Sequence, residues 1–324
     1  MTCKKTLHGR FASGRFTPVL LFSFSLLLML SAFWFPASDT LVQLPEEPSF
    51  MCGVVSRLVS VMLYAISAVL ISAQTFFDRQ VRWVGALYLC MVAVLSTANG
   101  NSTLALSSLL FVSSCVVMSI CQHCANHVGL LYTAFMILGF MVFVTPYALL
   151  LLPLYLLFCF FANVFSPRGF VASLLGLATP FWLILGTEYV LSGNGALTDY
   201  ITTGIAASFT LSFGCNTVHS FILMAFALLL LLPAMTTFMG SAYPAKPLLR
   251  RRLLFIMVAD AYLLMLCCLA GDGFMLFYFW QLPCLAVLAS YLFSGKESKL
   301  MNIYFVLINI IMVAIATVPL WLKQ

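Results

Sequence analysis

An aspartate lies in the middle of one of the most apolar stretches of the sequence, "LLRRRLLFIMVADAYLLMLCCLAGDGF" over residues 248 to 274. A carboxylate at the centre of a membrane helix costs roughly 2.5–3.5 kcal/mol, so Asp260 must face a protein interior, a watery cavity or a partner. Such a group can relay protons or cations or contact a substrate. It can equally be a buried carboxyl group that hydrogen-bonds to Ser, Thr, Asn or Tyr of a neighbouring helix, and both interpretations stay open here.

A second group of residues with chemical potential is the segment "CQHCANH", which contains Cys121, His123, Cys124 and His127. The C-x-x-C spacing and the four soft donors suit a tetrahedral zinc-type site. Because structural zinc sites usually combine two separated ligand pairs, four ligands within one short turn are cramped. The competing interpretation, a polar turn between two helices, is favoured.

The third group consists of Arg57 and of carboxylates that lie between apolar segments. Arg57 lies a few residues inside an apolar segment, where its side chain can snorkel to the headgroups or clamp a phosphate or carboxylate with its planar fork. Candidate catalytic or metal-binding carboxylates are Asp39, Glu46 and Glu47, joined by Asp272 in "GDG".

The composition determines which elements position these residues. Of the 324 residues, 63% are hydrophobic and 7% are charged, whereas soluble domains carry about 25% charged residues. So few charges cannot cover a water-facing surface, and a surface that faces lipid needs helices or a closed barrel to pair its backbone groups. Runs that are apolar on all faces over about 20 residues indicate spanning helices rather than alternating barrel strands. The sequence therefore predicts an all-α, polytopic membrane protein, and its net charge of +6 is no sign of nucleic-acid binding.

Hydropathy predicts one integral-membrane domain over residues 1–324 with eleven spans, of which the third and fifth are short enough to be tilted, kinked or re-entrant. Pro146 separates the fifth span from the sixth, because proline removes a hydrogen-bond donor and disfavours helix in the residue before it. The predicted spans are 16–35, 51–73, 82–97, 103–121, 129–144, 147–165, 169–190, 217–239, 252–270, 274–293 and 300–321.

Charge asymmetry predicts the orientation. With the N-terminus in the cytoplasm, 13 of the 15 basic residues lie on the inner side and six of the nine acidic residues on the outer side. Basic residues near span ends are retained in the cytoplasm, so the C-terminus is predicted to lie outside. The first span is expected to be a retained anchor, because its apolar region is longer than that of a signal peptide. Residues 196–212 are predicted to form a helix along the outer interface.

The stretch from residue 129 to 190 resembles the central region of a domain-of-unknown-function family of multi-spanning inner-membrane proteins from Bacteroidota. The similarity is carried by Thr145-Pro146-Tyr147, by Arg168 in the following turn, and by the helix with Leu174-Leu175-Gly176 and Thr179-Pro180-Phe181. The resemblance implies a bacterial inner-membrane location and supplies no catalytic residue and no cofactor.

The sequence shows no nucleotide, haem or flavin motif that would indicate a specific activity. Three classes of function fit the features described above. The first is a structural or accessory component of cell-envelope biogenesis, with the bilayer and other envelope membrane proteins as partners. The second is a multi-spanning transferase of lipid-linked glycans that uses the carboxylates of the outer face and Arg57 on the lipid phosphate. The third is a proton-coupled transporter that uses Asp260. The first class is the prediction, and the other two are its alternatives.

Overall fold

Nearly all of the residues that the structure describes are helical. The structure, a computed structural model, describes residues 17–31, 50–73, 83–95, 101–122, 127–162, 164, 166–191, 196–209, 218–241, 247–269, 273–294 and 299–321. These residues form twelve α-helices and one 3-10 helix and contain no strand. The all-α prediction is therefore confirmed for this part of the chain.

The helices follow the predicted segments in order, with the 3-10 helix at Pro146–Leu151 inserted before α6. They are α1 (Thr17–Ser31), α2 (Phe50–Ala73), α3 (Val84–Val94), α4 (Ser102–Cys121), α5 (His127–Val144), α6 (Leu152–Phe161), α7 (Pro167–Leu191), α8 (Ala196–Phe209), α9 (Val218–Ser241), α10 (Pro247–Leu269), α11 (Phe274–Ser294) and α12 (Lys299–Trp321).

Seven helices of the described part are long and apolar enough to cross a membrane, which indicates a multi-pass membrane protein. They are α2, α4, α5, α7, α9, α10 and α11. Three further apolar stretches are shorter, namely Val84–Val94, Pro146–Phe161 and Met301–Ile315. The predicted count of eleven crossings therefore exceeds the number that length and composition support on their own.

The two spans that were predicted to be short behave differently. Helix α5 has 18 residues and reaches spanning length. Helix α3 has only 11 residues and is buried along nearly its whole length. Eleven residues rise about 16 Å, which is about half of a hydrocarbon core. A helix of this length is tolerated at membrane depth because protein, rather than lipid, surrounds it.

The chain divides into two compact units, where the sequence predicts a single membrane domain. The first unit comprises Met1–Ala105, Thr217–Ala245 and Gln281–Gln324, and the second comprises Leu106–Asn216 and Lys246–Trp280. The two units are described separately below.

In the first unit, α3 is the element on which α1, α2 and α12 pack. Gly85 permits the approach of α2, because a Cβ atom at this position would overlap the carbonyl oxygen of Ala68. At the first turn of α3, the ring of Trp83 stacks on Phe293, with the ring centroids 6.2 Å apart. Phe293 also meets the edge of Phe305 of α12 at 4.9 Å. Small residues and aromatic rings thus bring these helices together, as is common between membrane helices.

In the second unit, the most extensive helix packing is between α5 and α7. A Cβ atom on Gly176 would overlap the carbonyl oxygen of Tyr132, and one on Gly139 would lie 2.8 Å from the carbonyl oxygen of Leu177. Both contacts advance in the same direction along the two helices, so α5 and α7 are parallel. The hydroxyl groups of Tyr132 and Thr179 lie 3.0 Å apart and add a hydrogen bond to this interface.

The segment between these two parallel helices contains the 3-10 helix and α6. Pro146 is the first residue of the 3-10 helix, where its missing N–H is not needed, so the predicted break at this proline is confirmed. Helix α8 packs against the 3-10 helix. Gly204 makes this contact possible, because a Cβ atom there would lie 2.5 Å from the ring of Pro146.

Candidate functional site

Asp260 lies on the buried face of α10, in the second unit, and is 0% exposed. Arg252, Ile256, Leu263 and Cys267 are buried on the same helix at spacings of three or four residues, so they form one inward stripe with Asp260. The carboxyl group therefore faces protein rather than lipid, as the cost of an exposed midplane carboxylate requires.

Tyr278 of α11 is a neighbour of Asp260 in this unit. Its hydroxyl group is close enough to Asp260 and to Cys267 for electrostatic interaction. Tyr278 is 1% exposed, and its ring stacks on Phe274 with the centroids 5.9 Å apart. The carboxyl group and the phenol thus share a buried, aromatic environment, which can hold a hydrogen-bonded pair or a proton.

Arg252 is the basic residue of the inward stripe. Its Nη2 atom donates a hydrogen bond to the carbonyl oxygen of Ser119, at 3.2 Å. Ser119 lies in the last turn of α4, where the final carbonyl groups have no partner within the helix and the dipole favours a cation. One of the three arginines of "LLRRR" therefore fastens α10 to the end of α4.

Tyr262 of α10 forms a hydrogen bond to the backbone of the 3-10 helix. Its hydroxyl group donates to the carbonyl oxygen of Leu150 at 2.6 Å. In a 3-10 helix this carbonyl would accept from the N–H three residues later, which is the position of Pro153. Because proline has no N–H, the tyrosine supplies the hydrogen bond that the sequence removes.

Two further polar contacts join helices of the second unit, both with serines of α4. The indole Nε1 of Trp280 donates to the Oγ of Ser107 at 3.3 Å. Ser114 and Tyr155 share a hydrogen bond between their hydroxyl groups. The described polar contacts in this unit are therefore hydrogen bonds that connect one helix to another.

The segment "CQHCANH" is described only at its two ends. The Sγ of Cys121 donates to the carbonyl oxygen of His127 at 3.5 Å. His123 and Cys124 lie outside the described residues, so the four-ligand metal hypothesis stays a prediction. Within the described part of the chain, no group of three His, Cys, Asp or Glu side chains could hold a metal. Cys159 of α6 is close enough to Cys121 for electrostatic interaction, which no sequence pattern indicates.

The remaining candidates are less completely described. Arg57 is half-buried on α2, beside the exposed apolar residues Val55 and Leu58, a position that permits either of its two predicted roles. The carboxylates proposed for catalysis lie outside the described residues, so the transferase hypothesis stays a prediction; these residues are Asp39, Glu46, Glu47 and Asp272.

Residues 196–209 are helical, as the predicted interfacial helix requires. Asp199 is exposed in the first turn of α8, where an acidic side chain complements the positive end of the helix dipole. Glu188 is half-buried near the end of α7.

The partners of Arg252, Tyr262 and Asp260 could not be identified from the sequence. The partners of Arg252 and Tyr262 lie 133 and 112 residues away in the chain, and both acceptors are backbone carbonyl groups, which every residue has. Tyr278 lies on the helix that follows Asp260, but the apolar pattern does not indicate which of its residues faces the carboxyl group. The one signal available was Pro153, since a proline inside an apolar helix leaves a carbonyl group that another side chain must satisfy.

Comparison of the chain with family models, with curated proteins and with solved structures finds no match.

Proposed function

We propose that the protein is a structural or accessory component of cell-envelope biogenesis, embedded in the bacterial inner membrane and associated with other envelope membrane proteins. The observation that supports this proposal best is that polar side chains of the second unit form hydrogen bonds between helices. The described interhelical bonds of Arg252, Tyr262 and Trp280 all hold one helix to another. A protein that acts by holding a fixed shape in the bilayer needs such bracing and no chemical step.

The packing of α11 supports the same proposal. Of the apolar 18-residue window within its candidate span Phe274–Phe293, 94% of residues are buried. The aromatic residues at its start interlock with other rings of the second unit: Phe277 meets the edges of Tyr147 at 6.1 Å and of Trp280 at 5.4 Å. A helix buried on all faces in this way favours a rigid membrane component over one that opens a path at this helix.

We also propose the predicted threading, with eleven crossings, the N-terminus in the cytoplasm and the C-terminus outside. The contacts between described helices agree with it. Arg252 near the start of α10 meets Ser119 near the end of α4, and Phe158 near the end of α6 meets Phe255 near the start of α10 at 4.4 Å. Both contacts join helix ends that this threading places on the cytoplasmic side.

A second candidate function, proton-coupled transport, is favoured by one observation. Asp260 is fully buried in the middle of α10 and interacts electrostatically with Tyr278. An ionisable group at this depth is a candidate relay for protons.

Substitution of Asp260 by asparagine separates the two functions. Asparagine keeps the size and the polarity of the carboxyl group but cannot exchange a proton. If the protein is an accessory component, the gene for the D260N variant corrects the envelope defect of a deletion strain as well as the wild-type gene does. The protein level of the variant in the membrane is measured alongside.

Failure of D260N to restore the phenotype at a normal protein level contradicts the accessory role and favours transport. A matched control is Asp199→Asn, which removes an exposed carboxylate on α8 and should restore the phenotype under either function.

A further inference from the structure

The start of α10 carries three consecutive arginines, and only Arg252 takes part in the hydrogen bond to α4. Arg250 and Arg251 are exposed, whereas Arg252 is 8% exposed and points to α4. The described acidic residues of the second unit are Glu188, Asp199 and Asp260, and none of them lies in the first turns of α10. Within the described part of the second unit, the two exposed guanidinium groups therefore have no carboxylate partner.

Exposed aromatic rings lie on α6, whose end contacts the start of α10. Arg251 is one turn before Phe255, whose ring meets the edge of Phe158 of α6 at 4.4 Å. Helix α6 ends at Phe161, less than one turn beyond Phe158. There the side chains of Phe160 and Phe161 are 75% and 37% exposed. The end of α6 and the start of α10 thus meet at Phe158 and Phe255, and the exposed rings of α6 and the exposed arginines of α10 lie within two helical turns of that contact along their helices.

We propose that Arg250 and Arg251, together with Phe160 and Phe161, form a binding site for one anionic phospholipid. The guanidinium groups bind the phosphate and the charged headgroup, because their planar donors match phosphate oxygens. The phenylalanine rings pack against the acyl chains. The site combines charge at headgroup level with an apolar surface at acyl-chain level, which is the arrangement of an anionic lipid and not of a soluble anion.

The test compares the full-length protein in nanodiscs of phosphatidylcholine alone and of phosphatidylcholine mixed with phosphatidylglycerol. Thermal unfolding and native mass spectrometry give the stabilisation by phosphatidylglycerol and the number of its molecules retained. For wild-type protein we expect a higher unfolding temperature with phosphatidylglycerol and one preferentially retained molecule.

Arg250→Gln and Arg251→Gln each remove one charge while Arg252 stays in place. Each variant should lose roughly fivefold in affinity for phosphatidylglycerol, the loss expected for one basic residue at a membrane surface. Unfolding in phosphatidylcholine alone should not change, because both side chains are exposed. The matched control is Arg168→Gln, which removes an exposed arginine at the start of α7 in the same unit and should retain the wild-type affinity.

Three results would overturn the proposal. The first is the absence of any preference for phosphatidylglycerol in wild-type protein. The second is an equal loss in Arg168→Gln, which would indicate diffuse attraction of charge instead of a site. The third is equal stabilisation by the soluble headgroup glycerophosphoglycerol, which would exclude a role for the acyl chains and the phenylalanine rings.

Discussion

The carbonyl group of Leu150 shows how single residues maintain this fold. Pro153 removes the N–H that would pair with it, and Tyr262 donates in its place at 2.6 Å. A carbonyl group without a partner is costly where no water reaches it. The tyrosine hydroxyl is therefore part of the backbone hydrogen bonding of the second unit, although it lies 112 residues away in the chain.

Substitution of Tyr262 by phenylalanine should lower the free energy of unfolding by about 0.6–1.7 kcal/mol, the range for hydrogen bonds between membrane helices. The change removes one oxygen atom and leaves the ring in place. Unfolding in mixed micelles with increasing dodecyl sulfate measures the difference. Tyr189→Phe is the control, because Tyr189 is 83% exposed on α7 and should unfold like wild type. Equal effects of the two substitutions would show that the bond to Leu150 contributes nothing.

For single residues, the sequence indicates which polar side chains are costly to expose to lipid, but it does not identify the groups that contact them. The apolar surroundings of Asp260 indicate that its side chain is buried, and it is. That Tyr278 is its neighbour depends on which faces of the consecutive helices α10 and α11 meet, which the apolar sequence pattern does not specify. The same limit applies to Ser119, whose main-chain oxygen accepts from Arg252 and whose side chain carries no signal of that contact.

At the scale of elements, the parallel pair α5 and α7 depends on two glycines that face each other's backbone. Gly139 and Gly176 let the helices approach until the carbonyl oxygens of Leu177 and Tyr132 fill the space of a side chain. The hydropathy pattern predicts both helices to within about two residues at each end. It does not distinguish these glycines from Gly129 or Gly186, which have open space around them.

Substitution of Gly176 by alanine should reduce the free energy of unfolding by about 1–3 kcal/mol, because an overpacked contact forces the backbones apart. Gly186→Ala lies on the same helix, where an added Cβ atom meets nothing within 4 Å, and should be neutral or slightly stabilising. Dodecyl sulfate titration of both variants measures the effect. A neutral Gly176→Ala would mean that α5 and α7 are not in close contact at this point.

The segment Pro146–Phe161 illustrates an element type that hydropathy does not reveal. Its six 3-10 residues rise about 2.0 Å each and its ten α-helical residues about 1.5 Å each, so the segment covers about 27 Å. An α-helix of the same length would cover about 24 Å. The tighter winding brings a stretch that is short by residue count close to the thickness of a hydrocarbon core, about 30 Å.

On the scale of the whole molecule, composition and charge predict more than any single residue does. The low content of charged residues indicates a membrane protein, and the seven helices of spanning length support it. The number of crossings is harder to predict, because a buried helix such as α3 can be shorter than the bilayer is thick. Hydropathy measures how apolar a segment is and carries no information about whether protein or lipid covers it.

The central claim about the whole molecule is its threading, and the relation of α5 to α7 tests it most sharply. Because these helices are parallel in the second unit, the proposed threading has the chain between them return through the bilayer along Pro146–Phe161. This return is what distinguishes the proposed eleven crossings from a chain in which only the seven longest helices span.

Reporter fusions after Thr145, after Arg168 and after Gln324 measure this threading directly, with alkaline phosphatase and a fluorescent protein at each position. Phosphatase is active only outside the cytoplasm, and the fluorescent protein folds only inside it. The proposed threading predicts active phosphatase after Thr145 and Gln324, and fluorescence after Arg168. The same reporter active after both Thr145 and Arg168 would contradict it, because Pro146–Phe161 would then not cross the membrane.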